Sequence, residues 1–235
     1  VHKLKYGIYN KCYTPCIAYG KPCLSLKTKP KTRLVWGYPS HMTFAERMFA
    51  QPLYTAYLDQ RTPYANWFTY GKGSMKEVLT SWQGDFIGID FKQYDATLPA
   101  WLIRRAFEIL RKQLDFSAYQ HWGKPTHDWT LDRLWERIIR YFIDTPIRIG
   151  RKVVVKHSGI PSGSYFTSLI GSICNSIILT YLFGTNIKYK LVFGDDSLIG
   201  VNEPHDLGLI SQIAERTFGV VINTEKSDYG RYIRW

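Results

Sequence analysis

The feature that most constrains this chain is a pair of β-prone runs, Lys188 to Phe193 and Ser197 to Val201, closed by Gly194-Asp195-Asp196. Gly and Asp are turn formers, so the pattern predicts a β-hairpin with two adjacent acids at its tip. A third acid ends the short apolar run Phe86-Ile-Gly-Ile-Asp90, which predicts a buried strand. Ser164 to about Phe183 reads as a long helix, Pro204 to Phe218 as another, and Val220 to Asn223 as extended. The order strand, helix, strand, strand, helix, strand is the split βαβ layout, an α+β arrangement of four antiparallel strands resting on two helices. In that layout the first strand lies beside the hairpin, so carboxylates distant in sequence meet at one sheet end. The layout alone names no function.

The remaining segments are read from the same signals. Residues 1 to 40, rich in Lys, Pro, Tyr and Cys, suggest loop and short strand. Thr43 to Asp59 carries Phe44, Met48, Leu53 and Tyr57 at helical spacing, with Pro52 expected to kink or divide the helix. Pro99 opens a predicted helix to about Leu114, and Leu131 to Phe142 forms another. Gly150-Arg151 sits between Pro146–Ile149 and Lys152–Lys156 as a second hairpin signal, and Ser158 to Gly163 is a small-residue loop. Tyr229 to Trp235 reads as a further strand at the end of the chain. There is no internal repeat.

Composition narrows the partners. With 45% hydrophobic and 16% aromatic residues, the 235-residue chain has the makings of a real core. Lys plus Arg number 31 against 19 Asp plus Glu, a net charge of +12 that favours polyanions. The richest apolar stretch, Ser168 to Phe183, is interrupted by Gly, Ser, Asn and Thr, and no basic-then-apolar leader opens the chain. The expectation is a soluble, non-secreted protein with no membrane partner. Of four cysteines, Cys12, Cys16 and Cys23 cluster without the paired spacing of a zinc knuckle and read as free thiols; Cys174 reads as core.

Asp90, Asp195 and Asp196 are the residues with chemistry to offer. Mg2+ binds hard oxygen ligands, usually one or two carboxylates plus substrate phosphates. Two such ions can activate an attacking hydroxyl and stabilise a leaving oxygen in phosphoryl transfer. Gly-Asp-Asp by itself is no more than a good turn. Its neighbours add more: Asp90-Phe-Lys-Gln-Tyr-Asp95, then Ser158-Gly-Ile-Pro-Ser-Gly-Ser-Tyr-Phe-Thr167 leading into a helix, then Gly194-Asp-Asp-Ser197. After these comes Asn223-Thr-Glu-Lys226-Ser227, and before them Lys27-Thr-Lys-Pro-Lys-Thr-Arg33-Leu-Val-Trp-Gly-Tyr-Pro39.

In that order these five elements resemble the viral RNA-dependent RNA polymerases, most closely the partitivirus and picobirnavirus group of double-stranded RNA viruses. The resemblance implies a right-hand polymerase: fingers over 1–84, palm over 85–98, a fingers insertion over 99–150, and palm again over 151–235, with a thumb and longer fingers beyond this chain. It implies template-directed RNA synthesis from ribonucleoside triphosphates. The catalytic set would be Asp90, Asp195, Asp196 and Lys226. The three acids would hold two Mg2+ ions, with Mn2+ as a substitute, and Lys226 would protonate departing pyrophosphate. Lys29, Lys31 and Arg33 would grip the triphosphate, and Asp95 would accept from the ribose 2′-hydroxyl. Ser162, Thr167 and Asn175 would complete the nucleotide site, while Ser158, Gly159, Ser162 and Gly163 would approach the template.

The sequence departs from the family at Gly171, where many relatives carry an Asn sharing the sugar contact; Ser172, Asn175 or water could take its place. Tyr94, next to Asp95, is expected on the other side of an extended segment. Partners implied are RNA template and product, nucleotides and a viral capsid protein, in host cytoplasm within the virion. Two rivals share the layout. A non-catalytic RNA-binding module would present aromatics on the sheet rather than acids. A DNA-making palm of the reverse-transcriptase kind would place a bulky aromatic at position 95. A serine hydrolase is excluded, because G-x-S-x-G is not met around Ser162.

Overall fold

The computed structural model describes residues 1–7, 14–24, 28, 31–119 and 121–233. In chain order its elements begin with α1 (His2–Lys5), β1 (Cys16–Cys23), β2 (Lys31–Gly37), α2 (Ser40–Asp59) and α3 (Ser74–Ser81). There follow β3 (Asp85–Ile89), β4 (Phe91–Lys92), α4 (Tyr94–Thr97), α5 (Ala100–Arg111) and α6 (Trp129–Ile143). The last part comprises β5 (Pro146–Ile149), β6 (Lys152–Val155), α7 (Thr167–Phe183), β7 (Ile187–Phe193), β8 (Asp196–Val201), α8 (Leu207–Phe218), β9 (Val221–Ile222) and β10 (Asp228–Gly230).

The central sheet has the order β10-β3-β8-β7 and is antiparallel throughout. This is the predicted split layout with one correction. The strand closing the sheet beside β3 is β10, not residues 220–223. Val221 and Ile222 pair instead with Phe91 and Lys92 in a separate two-stranded ribbon. The reason is local: the chain leaves α8 beside the segment just past β3, turns over residues 223–227, and only then returns along β3.

Strand β3 is apolar on both faces because both are covered. Ile87 and Ile89 belong to the main core with α5, α7 and α8, whereas Phe86 joins a smaller cluster with Trp67, Val78, Leu191 and Leu198. Helix α6 buries Leu131, Leu134, Trp135, Ile138 and Phe142, a stripe at helical spacing. A second sheet, β2-β1-β5-β6, unites the amino-terminal strands with the predicted 146–155 hairpin.

Pro52 does not divide α2, which runs unbroken for 20 residues. Ala45, Phe49, Leu53 and Tyr57 are buried along one face, and that packing holds the helix through the proline. Helix α5 ends at Arg111 rather than Leu114, and α7 starts at Thr167 rather than Ser164. By length and composition Thr167–Asn186, α7 with the turn after it, could cross a membrane, but more than half of that stretch is buried among the chain's other elements, as befits a core helix.

Candidate active site

Pairing fixes where the acids meet. Ile89 stands opposite Ser197, so in an antiparallel register Asp90 and Asp196 face each other one step further along. Phe193 pairs with Asp196, leaving Gly194 and Asp195 as a two-residue hairpin loop. Gly194 has φ +64°, a conformation glycine adopts without strain. Asp195 and Asp196 are open to solvent and Asp90 is half-buried. The Asp196 carboxyl titrates above its ordinary range, first through partial burial and then through the like charges of Asp195 and Asp90.

Asp90 is held by a distant segment. Asn223 donates its backbone N–H to the Asp90 carbonyl at 2.7 Å and its side-chain Nδ2 to Asp90 Oδ2 at 3.0 Å. The Asp90 N–H donates to Ser227 Oγ at 3.1 Å. The turn between these two residues carries Lys226, which is exposed. Asn223 and Ser227 were visible in the sequence as motif neighbours, but nothing in it said that they grip the first acid.

The hairpin tip is held from behind by α7. Asn175, expected at the nucleotide, is completely buried, and its Nδ2 lies 3.1, 3.1 and 3.3 Å from the carbonyl oxygens of Gly194, Asp195 and Asp196. Ser172 Oγ accepts from the Gly194 N–H at 2.8 Å and donates to Ser168 O. Both side chains thus bind the turn rather than the sugar, which corrects the expectation for Asn175. Gly171 lies against the same turn, where a Cβ would meet Gly194 Cα at an ordinary contact distance of 3.4 Å. A signal did exist: Ser172 and Asn175 are polar residues three apart in an apolar helix, and buried polar groups need partners.

Asp95 lies on α4, a single helical turn, not on an extended segment. The chain enters that turn through Gln93, at φ 51° and ψ 40° the only non-glycine residue with positive φ among the described residues. Tyr94 is buried and donates to Gly171 O at 2.7 Å. Asp95 is raised by partial desolvation and by Asp195, and is lowered by Arg33. Asp95 therefore feels both Asp195 of the hairpin and the Arg33 cation of β2. Arg33 is exposed on β2; Lys31 lies in the same strand, and Lys29 falls outside the described residues.

The loop over 158–165 is bound on every side. Gly159 N–H donates to Leu98 O at 2.8 Å and Ile160 N–H to Asp95 O at 2.6 Å. Gly159 has φ +76°, and a Cβ there would strike Asp95 O at 2.5 Å. Ser162 Oγ accepts from the Trp36 N–H at 3.1 Å, while a Cβ on Gly163 would collide with Trp36 O. Ser158 and Ser162 are exposed, whereas Gly159 is buried under the Asp95 turn. Thr167 Oγ1 donates to Pro161 O at 2.6 Å and Ser164 O at 2.9 Å, so its hydroxyl proton braces the loop rather than a nucleotide. Glu46 of α2, which the sequence did not single out, is fully buried against this loop.

Does this donor set suit divalent cations? Among the described residues no three His, Cys, Asp or Glu side chains close round one point as an all-protein metal cage. Mg2+ does not require one, since it keeps waters and substrate oxygens in its shell. Three carboxylates brought to one sheet end are hard oxygen donors of the kind it takes. The residues fit the group.

Comparison with known proteins bears on the family and the fold. The family described as viral RNA-dependent RNA polymerase matches residues 10–234. The RNA-directed RNA polymerase of Cryptosporidium parvum virus 1 (strain KSU-1) is 33% identical over 199 residues, covering 79% of this chain and 35% of that protein. The Ljunganvirus 1 genome polyprotein is 29% identical over 150 residues, covering 60% of this chain and 6% of that protein. Among solved structures, the RNA-dependent RNA polymerase of a human picobirnavirus superposes with a TM-score of 0.74 at 18% identity, over 92% of this chain and 41% of that one. The Sicinivirus 3Dpol RNA-dependent RNA polymerase gives 0.75 at 19% identity, over 94% of this chain and 47% of that one. The two structural likenesses establish a shared α+β fold, and the chain spans between a third and a half of the length of these polymerases. By the family match over nearly its whole length, the chain belongs to the viral RNA-dependent RNA polymerases.

Proposed function

We propose that this chain carries the catalytic core of an enzyme that joins ribonucleotides on an RNA template. The observation supporting it most directly is the register that sets Asp90 across from Asp196, next to Asp195 at the hairpin tip. Asp90 and Asp195 would hold two divalent cations, Mg2+ or Mn2+, with Asp196 assisting. When bound, these supply activation of the primer 3′-hydroxyl and neutralisation of the triphosphate.

The chain's own groups do the rest. Arg33, with Lys31 and Lys29, draws the triphosphate toward the acids. Asp95 accepts a hydrogen bond from the incoming 2′-hydroxyl. Lys226, on the turn that grips Asp90, gives a proton to the leaving pyrophosphate as general acid. Ser158, Ser162 and Gly163, on the open side of their loop, lie against the template and the nascent pair. In this reading residues 1–84 and 99–150 belong to fingers, and 85–98 and 151–235 to palm.

Asp195→Asn tests the assignment. Template-directed incorporation by the full-length protein should be lost and Mn2+ affinity should fall, while RNA binding stays within about threefold because the basic surface is intact. Normal turnover in that variant would end the two-cation reading.

A further inference from the structure

Glu46 is a buried carboxylate that no step of the proposed reaction uses. It stands on α2 with no exposed surface, and among the described residues no cation pairs with it. Three donors reach it instead. Tyr38 O–H donates to Oε1 at 2.7 Å; Ser164 O–H and Tyr165 N–H both donate to Oε2 at 2.8 Å. A buried, unpaired acid is costly even when hydrogen-bonded, and an apolar residue of similar volume would serve packing better. Its presence calls for a positional explanation.

The donors supply one. Tyr38 follows β2, the strand of Arg33, whereas Ser164 and Tyr165 end the loop whose other end holds Asp95 O through the Ile160 N–H. Between them Trp36 N–H reaches Ser162 Oγ, and Gly163 lies against Trp36 O. One side chain therefore ties the Arg33 strand to the loop that fixes the Asp95 turn.

We propose that Glu46 is a positioning residue that, by clamping Ser164 and Tyr165 to Tyr38, sets the Asp95 turn and hence the strictness with which ribose is chosen over deoxyribose. This rests on the polymerase reading above. The clamp itself does not, so the two are tested separately.

Glu46→Gln keeps the shape, and its Oε1 still takes the Tyr38 hydroxyl, but its Nε2 would meet the Tyr165 N–H donor to donor. Hydrogen exchange over residues 159–166 of the chain should quicken at least tenfold. In the full-length protein the ratio of kcat/KM for ribo- over deoxyribonucleotides should fall about tenfold. Tyr38→Phe, which cuts the tie to the Arg33 strand but leaves both loop bonds in place, should lower that ratio by a smaller factor, about threefold. Ser164→Ala removes one bond to the same oxygen and should reproduce part of both effects, which covers the case that Glu46→Gln folds poorly. Unchanged exchange in Glu46→Gln and Ser164→Ala would overturn the clamp. Quickened exchange with an unaltered sugar ratio would overturn the link to selectivity. A wild-type protein that incorporates no nucleotide on any template would overturn the polymerase reading and the selectivity claim with it, leaving exchange to judge the clamp.

Discussion

Removing the Asn175 amide should disable the hairpin tip far more than it destabilises the fold. Its Nδ2 carries two N–H groups shared among the Gly194, Asp195 and Asp196 carbonyls. Each buried hydrogen bond contributes about 1 kcal/mol net, and acceptors left bare cost about 1–3 kcal/mol. Against this, Asn175 Oδ1 is itself buried without a partner among the described residues, and deleting it returns about 1–2 kcal/mol. Asn175→Ala should thus lower unfolding stability by about 2 kcal/mol, to which its cavity adds. Asn175→Leu loses the same bonds but fills the space, and burying its apolar side chain returns about 1.5–3 kcal/mol, so it should stay within about 1 kcal/mol of wild type. Both release the turn that presents Asp195. Displacing a reacting group by about 1 Å can cost on the order of 100-fold in rate, so both variants should lose roughly 30- to 100-fold in kcat, with RNA affinity unchanged. Urea denaturation of the chain and single-nucleotide incorporation by the full-length protein are the assays. If Asn175→Leu incorporates nucleotides within about threefold of wild type, the amide does not position the acids and the reasoning fails.

Three further outcomes are expected. Asp95→Tyr should shift preference from ribo- toward deoxyribonucleotides, and an unaltered ratio would remove Asp95 from the sugar site. Gln93→Gly should stabilise the chain by up to about 1 kcal/mol by relieving the left-handed backbone, whereas Gln93→Val should destabilise it by more than about 1 kcal/mol; equal melting curves would deny the strain. Burial raises the Glu46 carboxyl from 4.5 to about 7, partly offset by its three donors. The unfolded chain releases that proton near 4.5 and the folded chain near 7, so between these values the folded state binds more protons and stability falls as pH rises. At ~1.36 kcal/mol per unit the fall is about 3 kcal/mol. Tyr38, Cys16 and Tyr54, the titratable neighbours, are all raised above their ordinary values and keep their charge across this window. Chemical denaturation at pH 4 and pH 8 should show this loss in wild type relative to Glu46→Gln, and parallel profiles would refute it.

The sequence carried the layout because hairpin chemistry and apolar spacing are local. Gly194-Asp195 between β-prone runs, the apolar face of α6 and the Gly150 turn each announce themselves within about ten residues. What it did not carry is long-range. No local rule tells whether residues 220–223 or 228–230 lie along β3, since both are short and β-prone; the competition is settled by where α8 delivers the chain. Asn175 looked like a sugar contact because it faces the right way along α7, but facing a site and being buried beneath it have the same helical spacing. Glu46 was hidden for the opposite reason, an acid in an amphipathic helix being ordinarily solvated. The Asp95 turn was missed because Gln93 in a left-handed conformation breaks the usual glycine signal.

The grip on Asp90 by Asn223 and Ser227 joins residues 133 and 137 positions apart. During translation the ribosome releases the first acid long before the residues that steady it. A nascent chain that has exposed Asp90 and even the hairpin still lacks its restraint until the 223–227 turn emerges and docks. Contacts of such separation are slow to form, so Asp90 gains its restraint late relative to the strand that carries it. Translation products ending before that turn would carry all three acids without the bonds that steady Asp90.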